Sequence, residues 1–174
     1  MTPVDRHLPQ TQTQTQTPHG LDLIDRKIVA ALMADATTPI ARIADKVGLS
    51  QTPCWKRIQR LEASGVILRR VALADPVKLG FGLTVFVGIA APDHGSDWRA
   101  TFARALAALP EVIEAWRMAG DVDYLLRVAV PDMAAYDRFY TALTDAVPIR
   151  NVTAQFAMEA VRQGTAYPVN TTDR

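Results

Sequence analysis

The stretch LSQTPCWKRIQRLE, residues 49–62, decides how the front of this chain folds. It opens on short polar residues and a proline, then alternates basic and apolar side chains. Ser50 or Thr52 can cap a helix by accepting a hydrogen bond from an unpaired N–H of its first turn. Pro53 fits that turn, where its missing donor is no loss. Cys54, Ile58 and Leu61 recur at helical spacing and make one buried stripe. Lys56, Arg57, Gln59 and Arg60 fall on the remaining faces. Taken alone, this is an amphipathic helix with a solvated basic face. Its polar front also suits a helix that meets DNA with its N-terminal end. The flanking sequence distinguishes the two.

Upstream, LDLIDRKIVAALMAD places Ile24, Ile28, Ala31 and Leu32 at helical spacing, with Asp22 and Asp25 as a capping pair at its start. TTPIARIADKVG follows. Thr38 and Pro39 mark a second start, Ile40, Ile43, Ala44 and Val47 form its stripe, and Gly48 ends it. A short helix, a tight glycine turn and a basic second helix make a helix-turn-helix. GVILRRVALADP then reads as a strand pair with Arg69 and Arg70 between its arms, a wing. Residues 1–20 carry TQTQTQT between Pro9 and Pro18, a polar low-complexity tail expected to be disordered.

Residues 81–160 change character. GLTVFVGIAA is a strand, and DWRATFARALAAL a helix through Phe102, Leu106 and Leu109. VIEAWRMA and DYLLRVAV are strands joined by a GDV turn. Asp132 caps MAAYDRFYTALTDAV, whose stripe is Tyr136, Tyr140, Leu143 and Val147, and NVTAQFAME is a last strand. The order βαββαβ is ferredoxin-like, with both helices on one face of the sheet. Leu83, Val85, Val87 and Ile89 alternate with Phe86 and Ala90, so both faces are apolar and the open one calls for a second subunit. The fold class is α+β: a winged helix-turn-helix over 21–70, a strand or linker over 71–80, a βαββαβ domain over 81–168 and a short tail over 169–174.

Composition narrows the function. The chain has 174 residues, 49% hydrophobic and 21% charged, an ordinary globular mixture. No apolar run reaches the roughly 18 residues of a membrane span, and no signal peptide is seen, so a cytoplasmic protein without a membrane partner is expected. One cysteine excludes an internal disulfide and fits a reducing compartment. Residues 21–70 hold nine Lys/Arg against five Asp/Glu, whereas 71–174 hold nine against twelve. The basic front points to an anionic partner. His7 and His19 stand in the tail and His94 in a polar loop; no nucleophile–histidine constellation or metal-ligand spacing emerges, so no enzyme, cofactor or metal site is expected.

LDLIDRKI, VGLSQTPCWKRIQRLEASGVI, ALADPVKLG, AGDVDYLLRV, AVPDMAAYDRFY and FAME, in that order from Leu21 to about Pro168, resemble the Lrp/AsnC family of feast/famine transcription regulators. TPCWKR, RMAGDVDY and FAMEAVRQGTAYP look closest to the branch containing an L-cysteine-responsive activator of cysteine detoxification. The resemblance implies double-stranded DNA as partner, dimers built through the βαββαβ domain, octamers assembled from them, and a small L-amino acid bound between dimers. It implies that the turn at Gly120, Asp121, Asp123 and Tyr124 contributes to the effector site. By the same matching Trp116, Arg117, Met118, Met133, Gln155, Phe156 and Ala157 shape the response, although several relatives carry an aliphatic residue where Arg117 stands. An aspartate can hold a ligand's ammonium and turn N–H groups its carboxylate, while Gly120 and Asp121 are equally ordinary hairpin residues.

For DNA, Lys56, Arg57 and Arg60 fit phosphate, Gln51 a base edge, Ser50 and Thr52 phosphate, and Arg69 and Arg70 phosphate from the wing. Trp55 is either a lid on the domain core or a contact to sugar and thymine methyl. Cys54, in the apolar stripe, is read as a buried inert thiol. The function expected is an amino-acid-responsive, sequence-specific transcription regulator; the alternative is an architectural oligomer that wraps DNA with little sequence preference.

Overall fold

A computed structural model describes residues 20–172; TQTQTQT, His7 and His19 lie outside the described residues, as do residues 173–174. The described residues form two compact units, one of residues 20–73 with 162–172 and one of residues 74–161.

The first unit is built on three helices: α1 Leu23–Ala34, α2 Ile40–Val47 and α3 Gln51–Ala63. The Asp22 carboxylate caps α1 by accepting from the Asp25 N–H at 2.7 Å. Gly48 ends α2 with φ 73, a conformation glycine takes without steric cost, and the Leu49 N–H returns to the Ala44 carbonyl at 2.9 Å. That closed turn leaves only residues 48–50 between α2 and α3. Ile28, Val29 and Leu32 of α1, Ile43 and Ala44 of α2, and Cys54, Ile58 and Leu61 of α3 form one core. Burial pushes the Cys54 thiol up, away from the reactive thiolate, as expected for an inert side chain.

The expected wing is not formed as a strand pair. Residues 66–82 contain no strand. Between the arms on either side of Arg69 and Arg70 no backbone hydrogen bond forms among the described residues, and past them Asp75 opens a local turn, its carboxylate accepting from Val77 N–H at 2.9 Å while Phe81 N–H reaches the Pro76 carbonyl at 2.8 Å. Leu68, Val71 and Leu73 are left exposed.

The second unit runs β1 Leu83–Ala90, α4 Ser96–Ala108, β2 Val112–Arg117, β3 Tyr124–Val130, α5 Met133–Ala146 and β4 Asn151–Phe156. The sheet order is β2-β3-β1-β4 with every pair antiparallel, the ferredoxin-like arrangement. Alternation along β1 sends Val85, Val87 and Ile89 to the helices, where they meet Leu126, Val128 and Val130 of β3 and Phe102, Phe139 and Leu143 of α4 and α5. Asp132 caps α5, accepting from Ala135 N–H at 2.8 Å. Two stripes shift from expectation. Trp98 enters the core, its indole N–H donating to the Pro148 carbonyl at 2.7 Å, and Phe139 takes the buried place expected for Tyr140, which is 40% exposed.

The second face of the sheet carries two cross-strand rows. One is Trp116, Leu125, Gly88 and Thr153; the other is Glu114, Arg127, Phe86 and Gln155. Neither helix covers it. The Arg127 guanidinium donates to Glu114 at 2.7 Å. That bond holds the Glu114 carboxyl below its ordinary value of 4.5, against a smaller opposing effect of burial. A carboxyl depressed on folding adds stability above its unfolded pKa, and that stability is lost as pH falls through the lower folded value. Glu114→Gln should therefore show its full deficit above pH 4.5, and acid unfolding of wild type and mutant should converge only once the pH has fallen through the lower folded value.

Candidate DNA surface and effector turn

Ser50 occupies the N-cap position of α3, with φ −76 and ψ 164, but its side chain makes no capping bond. Neither α2 nor α3 has an acidic residue in its first turn. Gln51, Thr52, Trp55 and Lys56 are exposed on the front half of α3. The start of α3 thus offers positive helix-end potential with polar side chains around it, an arrangement suited to phosphate and base edges.

The arginines behave differently from the sequence expectation. Arg57 donates to the carboxylates of Asp22 at 2.5 Å and Asp25 at 2.8 Å, and Arg60 donates to Asp25 at 2.5 Å. Asp25 is 1% exposed, so both its oxygens are taken up by α3. The bonds from Asp22 and Asp25 push the Arg57 pKa up. Burial opposes ionisation of Asp22, but the Asp25 N–H and Arg57 outweigh it and hold that carboxyl below its ordinary value. Arg57 is therefore a cross-link between α1 and α3 rather than a free phosphate ligand. The Arg60 side chain stays 60% exposed and keeps its outer N–H groups free to reach outward. Arg70 is tied to Glu62 at 2.8 Å, at the far end of α3, while Arg69 is exposed. The sequence reading missed Asp22 and Asp25 as partners of α3. Their spacing is that of a local cap, which Asp22 makes, whereas Asp25 bonds to α3.

The turn from Met118 to Asp123 is closed by the Met118 N–H on the Asp123 carbonyl at 2.9 Å. Gly120 within it has φ 152, which strains any other residue. The Asp123 N–H donates to Ile89, and its Oδ2 accepts from the Ala91 N–H at 2.8 Å. Oδ1 lies 3.7 Å from His94 Nδ1. Val122 packs over Gly88, where an added Cβ would come within 3.0 Å of it. Asp123 thus fastens the turn to the end of β1 with one oxygen and presents the other beside His94. Asp123→Ala should cost about 1–3 kcal/mol in chemical denaturation, because the Ala91 N–H loses its acceptor. Asp123→Asn keeps that acceptor and should stay near wild type.

The remaining effector candidates do not converge in one chain. Tyr124 pairs with Ile89 at one end of β1, and its ring packs on Trp98 and Phe102 with centroids 5.8 and 4.7 Å apart. It is a core residue on the helix side. Trp116, Arg117, Met118, Gly120 and Asp121 share that end of the sheet. Phe156 pairs with Val85 at the other end and stacks edge-on against Tyr136 at 5.2 Å. Gln155 is beside Phe86, Ala157 bonds to Thr84, and Met133 starts α5 just after β3. The four residue steps from Val85 to Ile89 put roughly 13 Å between the two groups. No cluster of His, Cys, Asp and Glu able to hold a metal occurs among the described residues.

Residues 84–167 match the Lrp/AsnC ligand binding domain, and residues 21–62 match the AsnC-type helix-turn-helix domain. The chain is 47% identical over 150 residues to the DNA-binding transcriptional activator DecR of Escherichia coli (strain K12), covering 86% of this chain and 99% of that one. An AsnC family transcriptional regulator from Agrobacterium tumefaciens superposes with a TM-score of 0.79 at 52% identity, over 83% of this chain and 95% of that one. A transcriptional regulator from Neisseria meningitidis in complex with L-methionine superposes with a TM-score of 0.81 at 28% identity, over 86% and 97%.

Proposed function

Because this chain belongs to the Lrp/AsnC family of transcription regulators, we propose that it reads DNA with the front of α3 and answers to a small L-amino acid held at the Asp123 turn. It is a DNA-binding regulator and not an enzyme. Ser50, Gln51, Thr52, Trp55 and Lys56 form the reading surface, Arg60 and Arg69 reach phosphate, and Arg57 and Arg70 hold α3 and its following segment in place. The observation that carries this is the exposed, acid-free start of α3 beside the glycine-closed turn.

For the effector, the uncommitted Oδ1 of Asp123 supplies an anionic pole for the ligand's ammonium. A buried zwitterion needs both poles paired, and turn N–H groups suit its carboxylate. The roughly 13 Å between the Gly120 group and the Phe156 group means that one chain cannot place all the candidates around one small ligand. A second copy brings its Met133, Gln155, Phe156 and Ala157 to the first copy's turn, consistent with dimers assembling into octamers. L-Cysteine is the first candidate by branch resemblance, with other small or aliphatic amino acids next. The regulator from Neisseria meningitidis bound to L-methionine supports an amino-acid ligand of modest size. A cytoplasmic site of action goes with the DNA-binding reading. Separately, no helix among the described residues is long and apolar enough to cross a membrane.

The test is a thermal-shift screen of amino acids on the full chain. A ligand at a hundredfold excess over Kd adds about 2.7 kcal/mol. Asp123→Asn, which keeps the fold, should lose that shift while retaining ligand-free DNA binding. Normal ligand binding by Asp123→Asn would remove the carboxylate from the effector site. An architectural role instead predicts nearly equal affinity for selected and random DNA.

A further inference from the structure

An open hollow of about 230 Å³ lies between the starts of α2 and α3, lined by Ile40, Gln51, Thr52 and Trp55. We propose that this hollow seats the 5-methyl group of a thymine, with Trp55 and Ile40 as its apolar walls and Gln51 reading the same base pair. The proposal rests on the reading that α3 meets DNA with its front end.

Trp55 is not part of the core of its unit: that core is Ile28, Val29, Leu32, Ile43, Ala44, Cys54, Ile58 and Leu61, and the Trp55 side chain is 46% exposed. A lid on the core is therefore excluded, and the indole needs another reason to stand on a polar helix face. Ile40, the first residue of α2, packs against the edge of that core and also lines the same hollow. In the major groove the thymine methyl is the apolar feature among hydrogen-bonding edges. The polar members of the hollow complete the match. A glutamine amide can bond adenine N6 and N7, the edge that the partner of thymine presents in the same groove. Charge also fits. Both helices that start at the hollow lack an acidic residue in the first turn, and Lys56 follows Trp55 on the exposed side. A phosphate backbone approaching the start of α3 meets no acidic first-turn residue there. An aromatic wall, an aliphatic wall and an amide around one opening thus select an A·T pair.

Full-length protein is used to enrich duplexes from a random pool, and each thymine of the enriched motif is then replaced singly by deoxyuridine, which removes only the methyl. One position should bind about fourfold more weakly, the size of one buried methylene-sized group. Trp55→Ala should bind the thymine and uracil duplexes equally, while its melting temperature and the salt dependence of binding stay at wild-type values. No uracil-sensitive position, or sensitivity that survives in Trp55→Ala, overturns the proposal while leaving the DNA reading standing. Failure of the wild type to enrich any motif removes the sequence-specific DNA reading itself, and the hollow's role with it.

Discussion

Replacing Arg57 and Arg60 together by alanine is expected to lower the stability of the helical unit by about 3–5 kcal/mol. Asp25 is 1% exposed and spends both oxygens on these two guanidiniums. Without them a carboxylate remains inside the unit with no charged partner, and stranding a buried charge costs far more than a surface ion pair is worth. Hydrogen exchange of the helical-unit amides measures this without interference from the second unit. Adding Asp25→Leu to the double mutant should recover most of the loss, because an apolar side chain of similar size needs no partner there. A double mutant that exchanges like wild type would show that Asp25 is not held by α3. The single mutant Arg60→Ala separates the two duties of that residue. Arg57 still holds Asp25, so the fold should survive, while DNA affinity falls and the salt slope drops by about one if Arg60 also reaches phosphate.

This pair of carboxylates also marks where the sequence stopped being legible. Asp22 and Asp25 at a helix start read as a local cap, and half of that is true: Asp22 caps the Asp25 N–H at 2.7 Å. Asp25 does not reciprocate. It turns to residues 32 and 35 positions away, and no local spacing rule reaches that far. Gly48, Pro53 and Asp132 announced their helix ends because each acts within one turn of its own position. The same locality explains the wing. Residues 65–76 have strand-forming side chains, but a strand needs a partner as well as a propensity, and no strand pairs with them. Trp98 was missed because its burial depends on α4 facing β3, a tertiary fact. The effector candidates were individually nameable, yet their separation into two groups followed only from strand register.

Phe86→Lys is expected to leave this protein monomeric. Phe86 sits in the middle of the sheet face that neither helix covers, with Arg127 and Gln155 as cross-strand neighbours and Trp116 and Leu125 in the adjoining row. A second copy laid on this face shields Phe86, Trp116 and Leu125 from water, and in a twofold dimer each substitution appears twice. Lysine is the sharper choice than aspartate. Aspartate would be offered the Arg127 guanidinium beside it, whereas lysine meets that like charge as its neighbour, and the Glu114 beyond is already bonded to Arg127 at 2.7 Å. A charge with no partner in a face closed from water costs at least about 2 kcal/mol per copy, so the dimer constant should weaken by about a thousandfold or more. Sedimentation of the full chain at micromolar concentration should then give a monomer, with a melting profile showing that both units remain folded. Thr141→Lys, which adds the same charge on the exposed side of α5, should leave the wild-type assembly intact. If Phe86→Lys sediments with the wild type, the copies associate through some other surface than the open face of the sheet.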